Sequence, residues 1–363
     1  MYTHDFYEQM GLLNILRPTI ICKATDHIAE QINLVNKLIN KGFAYETPEA
    51  VYFDIGKFPR YDELFGLHRI DKKVAVREEV HTGEHKKSPY DFALWFKSVG
   101  RFSDHEMVWD SPFGKGFPGW HIECSAMAMK YLGETFDIHT GGEDHLTIHH
   151  PNEIAQSEAA TSKEFAKYWM HCQFLTVDGQ KMSKSIGNVY QVRDVIEKGF
   201  SPMALRYLYM TAHYRTPLNF TWSSLAAAQS AYEKLAKLVL DSRSQMAERR
   251  SQLSKEKQKK LEEMKGRFWM AINDDLNFPK GLGVLWEIMK SNIPDYDKAD
   301  FLLDVDVVLG LNLANVRMEK VPEEVLEMME QRQKLRQVGK FVEADNLRQQ
   351  IEKLGYKVND LPI

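Results

Sequence analysis

The sequence predicts an α/β region followed by an all-α region. The α/β part is indicated by a short buried strand, Thr135–His139, a tight Gly141-Gly142 turn, and Pro151 as the first residue of a helix. This order of strand, glycine turn and helix is typical of a doubly wound α/β domain. After about Ser223 the apolar residues follow helical spacing almost without interruption, which predicts a helical remainder.

The residues before Trp120 predict a helix, a strand and an irregular insertion. Apolar residues recur at helical spacing over Thr25–Lys41, and Gly42 ends that helix. Glu49–Ile55 has the composition of a strand. The polar region Val74–Gly119 contains only short aromatic runs, so we expect it to be irregular or rich in β-structure.

Two further helices are predicted around the α/β part. His121–Leu132 is amphipathic at helical spacing. Thr161–Glu164 has the pattern of a capping box, which predicts that another helix begins there.

The all-α region is divided by proline and glycine. Ser224–Lys265 predicts one long helix, and Asn277–Pro279 marks a break before the next. Phe301–Leu313 is the most apolar late stretch, but it is short and contains two aspartates, so we interpret it as core and not as a membrane span. Pro322 opens a final helix pair with Gly339 between its halves.

Composition and charge exclude several classes of protein. The chain has 363 residues, 44% hydrophobic and 27% charged, with a net charge of −4, which argues against a uniformly basic protein that coats nucleic acid. Its three cysteines, Cys22, Cys124 and Cys172, do not make a disulfide framework. The first residues do not have the pattern of a signal peptide, so we expect a cytoplasmic protein without membrane contact.

Three residues are candidate metal ligands: Cys124, His149 and Glu153. His149 and Glu153 are four residues apart at a helix start, so their side chains can share one face. A thiolate, an imidazole and a carboxylate suit tetrahedral Zn²⁺, although this spacing matches no common zinc finger. The alternative is a buried free cysteine beside an unrelated surface His/Glu pair.

Two glycine- or lysine-rich segments are candidate nucleotide sites. Lys181–Asn188 places two lysines among small polar residues, which suits triphosphate binding, although such loops are often simply solvated. His139–Asp144 follows the predicted strand, at the edge where open α/β sheets bind nucleotides. Its glycines allow close backbone approach and its acidic residues could bind ribose, but a plain Gly-Gly turn is the alternative.

Several complete sequence strings resemble one family. KMSKS at Lys181–Ser185 is the signature loop of class I aminoacyl-tRNA synthetases, and the set as a whole resembles cysteinyl-tRNA synthetase. The other matching strings are Asp91–Trp95, Pro118–Met127, His139–His145, His149–Ala159, His213–Phe220, Asp274–Glu287 and Gly339–Ile351.

The resemblance implies a domain order. The expected parts are the remaining early catalytic part with the connecting insertion (1–118), the C-terminal half of a Rossmann-like catalytic domain (119–175), the KMSKS loop and stem-contact region (176–225), a helical bundle (226–320) and a small, C-terminally short anticodon-binding domain (321–363).

The resemblance also implies a reaction and its partners. Cysteine and ATP, with Mg²⁺, form cysteinyl-adenylate and diphosphate, and the cysteinyl group then passes to tRNA(Cys). Cys124, His149 and Glu153 are implied to be three of four protein ligands of one zinc ion, which would select the substrate thiolate over the serine hydroxyl. The protein is expected to be a monomer.

Further roles are carried over by motif. Trp120 and His139 are implied to border the amino acid, and Gly141, Gly142 and Asp144 to face the nucleotide. Lys184, with Lys181 nearby, is implied to stabilise charge on the ATP phosphates. Basic residues of the tail, in Arg332–Arg336 and Leu347–Lys353, are expected tRNA contacts, with a solvated helix face as the alternative.

The sequence departs from the family at its beginning. Nothing matches the HIGH-type loop, and the early cysteine that supplies the fourth zinc ligand has no counterpart, because neither Cys22 nor Cys172 lies in a matching motif. We therefore expect weaker zinc binding, uncovered sheet edges and inefficient adenylate formation by this chain alone.

Three other functions remain open on these residues. A cysteine ligase of the mycothiol type shares the zinc site and the KMSKS chemistry, but it has no anticodon-reading end. A non-catalytic tRNA-binding remnant would need no HIGH-type loop. A zinc hydrolase could use His149 and Glu153, but it would have no use for Lys181–Ser185.

Overall fold

A computed structural model describes residues 2–61, 85–245, 253–317 and 323–353. The chain forms two compact units, one of Met1–Tyr232 with Leu253–Ile293 and the other of Glu233–Gln252 with Pro294–Ile363. Parts of two predictions, residues 74–84 of the insertion and Pro322, lie outside the described residues.

Up to Phe220 the described residues form both helices and strands, and beyond it they form helices alone. The helices are α1 Tyr2–Leu12, α2 Ile28–Asn40, α3 Trp120–Leu132, α4 His149–Thr161, α5 Val192–Glu197, α6 Pro202–Tyr209, α7 Trp222–Gln245, α8 Lys255–Asn273, α9 Phe278–Lys290, α10 Asp295–Leu309, α11 Glu323–Gln337 and α12 Phe341–Lys353. The strands are β1 Ala44–Glu46, β2 Ala50–Phe53, β3 Phe92–Lys97, β4 Gly116–Pro118, β5 Phe136–Gly142, β6 Ala166–Cys172, β7 Leu175–Val177, β8 Gln180–Lys181 and β9 Leu218–Phe220.

The insertion contributes to an antiparallel four-stranded sheet of order β1-β2-β3-β4. The predicted strand in Glu49–Ile55 and the β-rich character of the described part of the insertion are confirmed, and β1 was not predicted. The predicted helix in Thr25–Lys41 is confirmed as α2, and Gly42 follows it at φ +79°. The buried face of α2 joins one hydrophobic core with this sheet, α3 and α4.

The α/β part consists of β5 and β6, which pair in parallel and are connected through α4. The prediction of a short buried strand ending in a tight Gly-Gly turn is wrong in two respects. β5 continues through Gly141 and Gly142, and Gly142 has ordinary extended angles. Ile138 and Tyr168 lie more than half exposed. Among the described residues β5 pairs with β6 alone.

Two helix starts differ from their predictions. Pro151 is the third residue of α4 and not the first, but it still lies in the first turn, where its missing N–H costs no helical hydrogen bond. Thr161–Glu164 does not open a helix. Thr161 ends α4, Ser162 follows in the left-handed conformation, and the chain then enters β6. The Thr161 hydroxyl bonds locally, donating to the Ser157 carbonyl and accepting from the Lys163 N–H.

A three-stranded sheet of order β8-β7-β9 leads into the KMSKS loop, Lys181–Ser185. β7 and β8 are antiparallel and joined by Asp178 and Gly179, both with positive φ, as a two-residue hairpin requires. β9 pairs in parallel with β7 on its other edge. Lys181, the last residue of β8, is therefore also the first residue of the KMSKS loop.

The helical region confirms one predicted break and corrects one predicted helix. Ser224–Lys265 is not a single helix, because α8 has its own start at Lys255, where the Ser254 hydroxyl accepts a hydrogen bond from the Lys257 N–H. The break at Asn277–Pro279 is confirmed, since the Asn277 side chain caps α9.

In the second unit, Phe301–Leu313 supplies core residues, as predicted, and Phe301, Leu302, Val305 and Leu309 of α10 are buried. Gly339 separates α11 from α12 at φ +77°. Within the described residues no helix combines the length and apolar character needed to cross a lipid bilayer.

Candidate functional site

Three elements of the first unit bring the predicted amino-acid and metal residues together. Trp120 and Cys124 are four residues apart on α3, and His149 and Glu153 have the same spacing on α4, so each pair lies on one helix face. α3 packs against α4. β5 adds His139 at the edge of the same cluster, within hydrogen-bond distance of Glu153.

The three candidate ligands converge as the sequence predicted. One ligand atom each from Cys124, His149 and Glu153 lies within 4.8 Å of the other two. His149 and Glu153 are buried, so the alternative of an unrelated surface His/Glu pair does not describe this structure. His139, His150 and Glu153 form a second group whose ligand atoms also lie within 4.8 Å of one another, and Glu153 is common to both groups. Neither group includes Cys22 or Cys172.

The Glu153 carboxylate has one satisfied and one unsatisfied oxygen. Its Oε2 atom lies 2.6 Å from His139 Nε2. Its Oε1 atom is 2.5 Å from His149 Nε2 but accepts no well-aligned hydrogen bond from the described residues. Burial alone would raise the pKa of Glu153, but the His139 and His149 imidazoles close to the carboxylate outweigh it and lower the pKa to about 2. The carboxylate is therefore charged at neutral pH and has a lone pair available for a cation.

A bound cation would change the protonation state of the Cys124 thiol. Burial raises its pKa to about 12, and the nearby negative charge of Glu153 adds to the effect. The thiol is therefore protonated at neutral pH without a metal, whereas a coordinating Zn²⁺ deprotonates its thiol ligands. A half-buried thiol, an imidazole and an unsatisfied carboxylate oxygen together fit zinc, with room in the coordination sphere for a further ligand.

Four histidines that were not predicted surround this group: His121, His145, His150 and His171. Burial lowers the pKa of His121 to about 3, and burial does the same for His150, so both are neutral at pH 7. His121 Nδ1 lies 2.9 Å from His149 Nδ1, and His150 Nδ1 lies 2.8 Å from His171 Nε2. His121, His145 and His150 lie in sequence strings that match the family, but only the fold shows that the four histidines converge.

Trp120 forms the exposed side of the cluster. Its ring stacks on His149 with a centroid distance of 4.3 Å, and 53% of its surface is accessible. An aromatic face held against a ligand imidazole and open to solvent suits the border of a substrate pocket.

The predicted nucleotide residues Gly141, Gly142 and Asp144 lie at the carboxyl end of β5. A Cβ atom on Gly141 would lie 2.6 Å from His150 Cε1, and one on Gly142 would lie 2.4 Å from Asp144 Oδ1. Gly141 is therefore required by its packing against the buried His150 and not by a turn, whereas the exposed Asp144 side chain can move away from Gly142. Asp144 is mostly exposed, so its carboxylate is accessible to a ligand.

The KMSKS loop presents two exposed lysines. Lys181 and Lys184 are exposed, and within the described residues no carboxylate pairs with either ammonium. Asn188 closes the loop, because its side chain accepts from the Ser183 N–H at 2.8 Å and donates to the Lys181 carbonyl at 3.1 Å. No hydrogen bond in the described part of the chain joins these lysines to His121, His145, His150 or His171.

The tail lysines and arginines differ in exposure. Arg332 is buried, so the expectation that it contacts tRNA is not supported by its position. Lys334, Arg348 and Lys353 are exposed on α11 and α12 and remain candidates.

Comparisons with known proteins agree with the motifs. Residues 1–230 match the family described as tRNA synthetases class I (C) catalytic domain. Cysteine–tRNA ligase 1 of Burkholderia lata is 42% identical over 99% of this chain and 74% of its own length. The cysteine–tRNA ligase of Treponema denticola is 38% identical over 99% and 77%. Methionyl-tRNA synthetase of Mycobacterium tuberculosis, in complex with methionyl-adenylate, has a TM-score of 0.60 over 86% of this chain and 78% of that one, at 13% identity, a likeness of fold alone.

Proposed function

The chain belongs to the cysteine–tRNA ligase family of class I tRNA synthetases, and from that membership we propose that it joins L-cysteine to tRNA(Cys). The proposed reaction has two steps. The cysteine carboxylate attacks the α-phosphorus of ATP, which gives cysteinyl-adenylate and diphosphate. A terminal ribose hydroxyl of tRNA then takes the cysteinyl group and releases AMP.

The proposal depends chiefly on the group of Cys124, His149 and Glu153, in which His149 and Glu153 are buried and one carboxylate oxygen is unsatisfied. We propose that these residues hold one zinc ion. When bound, zinc would supply a soft Lewis acid that prefers a thiolate to a hydroxyl, which favours cysteine over serine. His139 would keep the Glu153 carboxylate in place through its 2.6 Å contact.

The remaining predicted residues would bind the substrates. Trp120 would cover one side of the amino acid, since its ring is exposed beside His149. Gly141, Gly142 and Asp144 would face the nucleotide at the end of β5. Lys181 and Lys184 would attract the ATP phosphates and stabilise the charge that develops on departing diphosphate, because no carboxylate among the described residues neutralises them.

Calorimetric titration of the zinc-loaded chain with L-cysteine and L-serine tests the amino-acid part without requiring catalysis. We expect cysteine to bind at least about 100-fold more tightly than serine, because zinc binds a thiolate far more strongly than a hydroxyl. Cys124→Ser should weaken zinc binding and reduce this preference, while Cys172→Ser, at an exposed position, should leave both unchanged. Equal affinity for the two amino acids would refute the proposed specificity.

Cysteine-dependent exchange between ATP and diphosphate tests the first chemical step. Exchange that depends on cysteine would support the proposed first step, and the absence of exchange by the 363-residue chain would contradict that step. Binding of tRNA(Cys) separates the proposed function from a mycothiol-type ligase, which would use an amino-sugar acceptor. If tRNA binds while neither cysteine nor ATP does, the non-catalytic alternative is favoured.

A further inference from the structure

The corner between α8 and α9 has an unusual backbone. Asp275 and Leu276 both have φ +53°, the left-handed region that side chains other than glycine rarely adopt. Asparagine and aspartate tolerate this region, whereas leucine does not, and Leu276 is also 43% exposed. Two consecutive residues in this conformation persist only where the surrounding structure holds them, and such sites are often functional.

Three consecutive side chains hold this corner. The Tyr214 hydroxyl donates to Asp275 Oδ1 at 2.6 Å, and Arg215 Nε donates to Asp275 Oδ2 at 2.6 Å. His213 Nε2 lies 2.9 Å from the Asp275 carbonyl oxygen. The His213 and Tyr214 rings stack, and the Arg215 guanidinium lies over the Tyr214 ring. Asp275 is thus the common partner of the whole His213–Arg215 segment.

The same segment leads directly into the sheet that supports the KMSKS loop. The Tyr214 carbonyl accepts a hydrogen bond from the Gln173 N–H at 2.8 Å, just before β7. β9 begins at Leu218 and pairs with β7. The Asn219 side chain then accepts from the Gly179 N–H at 2.8 Å, at the turn between β7 and β8. A continuous series of bonds therefore runs from the helix corner to the strand that ends at Lys181.

We propose that Asp275 is a positioning residue, through which the corner of α8 and α9 fixes the β8-β7-β9 sheet and thereby the Lys181–Ser185 loop. The role of that loop in binding ATP rests on the proposed function. The positioning itself does not, because it concerns only contacts within this chain.

Hydrogen exchange measured by mass spectrometry tests the coupling without catalysis. Asp275→Asn removes the charge but keeps a side chain that tolerates the left-handed conformation. We expect the amides of Gln173, Asp178 and Gly179 to exchange at least about fivefold faster, because local opening of the sheet becomes easier. Arg215→Ala, which leaves the corner residue unchanged, should give an effect in the same direction.

Glu287→Gln is the matched control. Glu287 also accepts two contacts from an arginine, Arg267, at 2.7 and 3.1 Å between α8 and α9, but it touches nothing in His213–Arg215. Its variant should leave exchange in residues 173–188 unchanged. Unchanged exchange in Asp275→Asn and Arg215→Ala, or an equal rise in Glu287→Gln, would overturn the proposal.

ATP affinity is a second measurement, and it tests whether the corner between α8 and α9 affects binding at the KMSKS loop. ATP affinity should fall severalfold in Asp275→Asn and remain at the wild-type value in Glu287→Gln. If the wild-type chain does not bind ATP, the proposed function fails in that part, while hydrogen exchange still decides whether Asp275 positions the loop. Normal exchange with lost ATP binding would refute the positioning role.

Discussion

Gly141→Ala tests whether the end of β5 is held in place by packing against His145 and His150. The new Cβ atom would lie 2.6 Å from His150 Cε1, 2.8 Å from His150 Nε2 and 2.8 Å from His145 Nδ1. All three separations are shorter than carbon–carbon or carbon–nitrogen contacts in packed proteins, so side chains or backbone must move. His145 is half-buried and can rotate away.

His150 cannot move as easily, and it therefore determines the cost. Its side chain is buried, its Nδ1 atom bonds His171, and its ring packs on Trp169 at a centroid distance of 4.9 Å. Overpacking of this kind typically costs about 1–3 kcal/mol. We expect Gly141→Ala to lower the free energy of unfolding by about 2 kcal/mol, measured by urea denaturation.

Gly283→Ala is the matched control for this substitution. Gly283 is exposed on α9 with no atom within 4 Å of a built Cβ, so its replacement should stabilise the protein by up to about 1 kcal/mol through helix propensity. If His150 causes the cost at Gly141, most of it should disappear in a His150→Ala background. An equal cost in both backgrounds would refute the packing argument.

Three other predictions concern Glu153, Cys124 and the start of α8. In metal-free protein, Glu153→Gln should lower the free energy of unfolding at pH 7 by on the order of 3 kcal/mol, because the folded-state pKa is about 2 instead of 4.5 and each unit corresponds to about 1.4 kcal/mol. This difference should be complete above pH 4.5 and shrink as pH falls towards 2. Glu134→Gln should show a much smaller pH dependence in urea titrations, because the Lys163 contact that lowers the pKa of Glu134 lies at the surface and is screened by solvent. Cys124→Ser should weaken zinc binding by at least about tenfold in a chelator competition. It should also remove the thiolate-to-metal absorption band of the Co²⁺-substituted protein. A retained band would show that another thiol is the ligand. Ser254→Ala should destabilise α8 by about 1 kcal/mol, seen as lost helical circular dichroism on heating, since Ser254 accepts the capping hydrogen bond.

Local sequence patterns determined much of the fold. The helix over Thr25–Lys41 and the break at Asn277–Pro279 were predictable, because apolar spacing and capping residues act within one or two turns. The predictions that failed depended on neighbours distant in sequence. Thr161–Glu164 has a capping-box pattern, but α4 ends there because the chain must return to pair β6 with β5.

The chemical types of the candidate ligands were also available from the sequence. A thiol, an imidazole and a carboxylate in Cys124, His149 and Glu153 suggested zinc before any distance was known. The burial of His149 and Glu153, the unsatisfied Glu153 oxygen and the contact with His139 required the packing of α3, α4 and β5, since burial and hydrogen-bond geometry arise only when separate elements meet.

The sequence by itself therefore determined an α/β region followed by helices, and the residue types of the candidate site. Only the tertiary structure decided that Gly141 is required by the adjacent His150 side chain, that His121 and His150 are buried and neutral, and that Asp275 connects the helix corner to the KMSKS loop. The physical reason is that sequence patterns report interactions between near neighbours along the chain, whereas steric exclusion, desolvation and these hydrogen bonds join residues far apart in sequence.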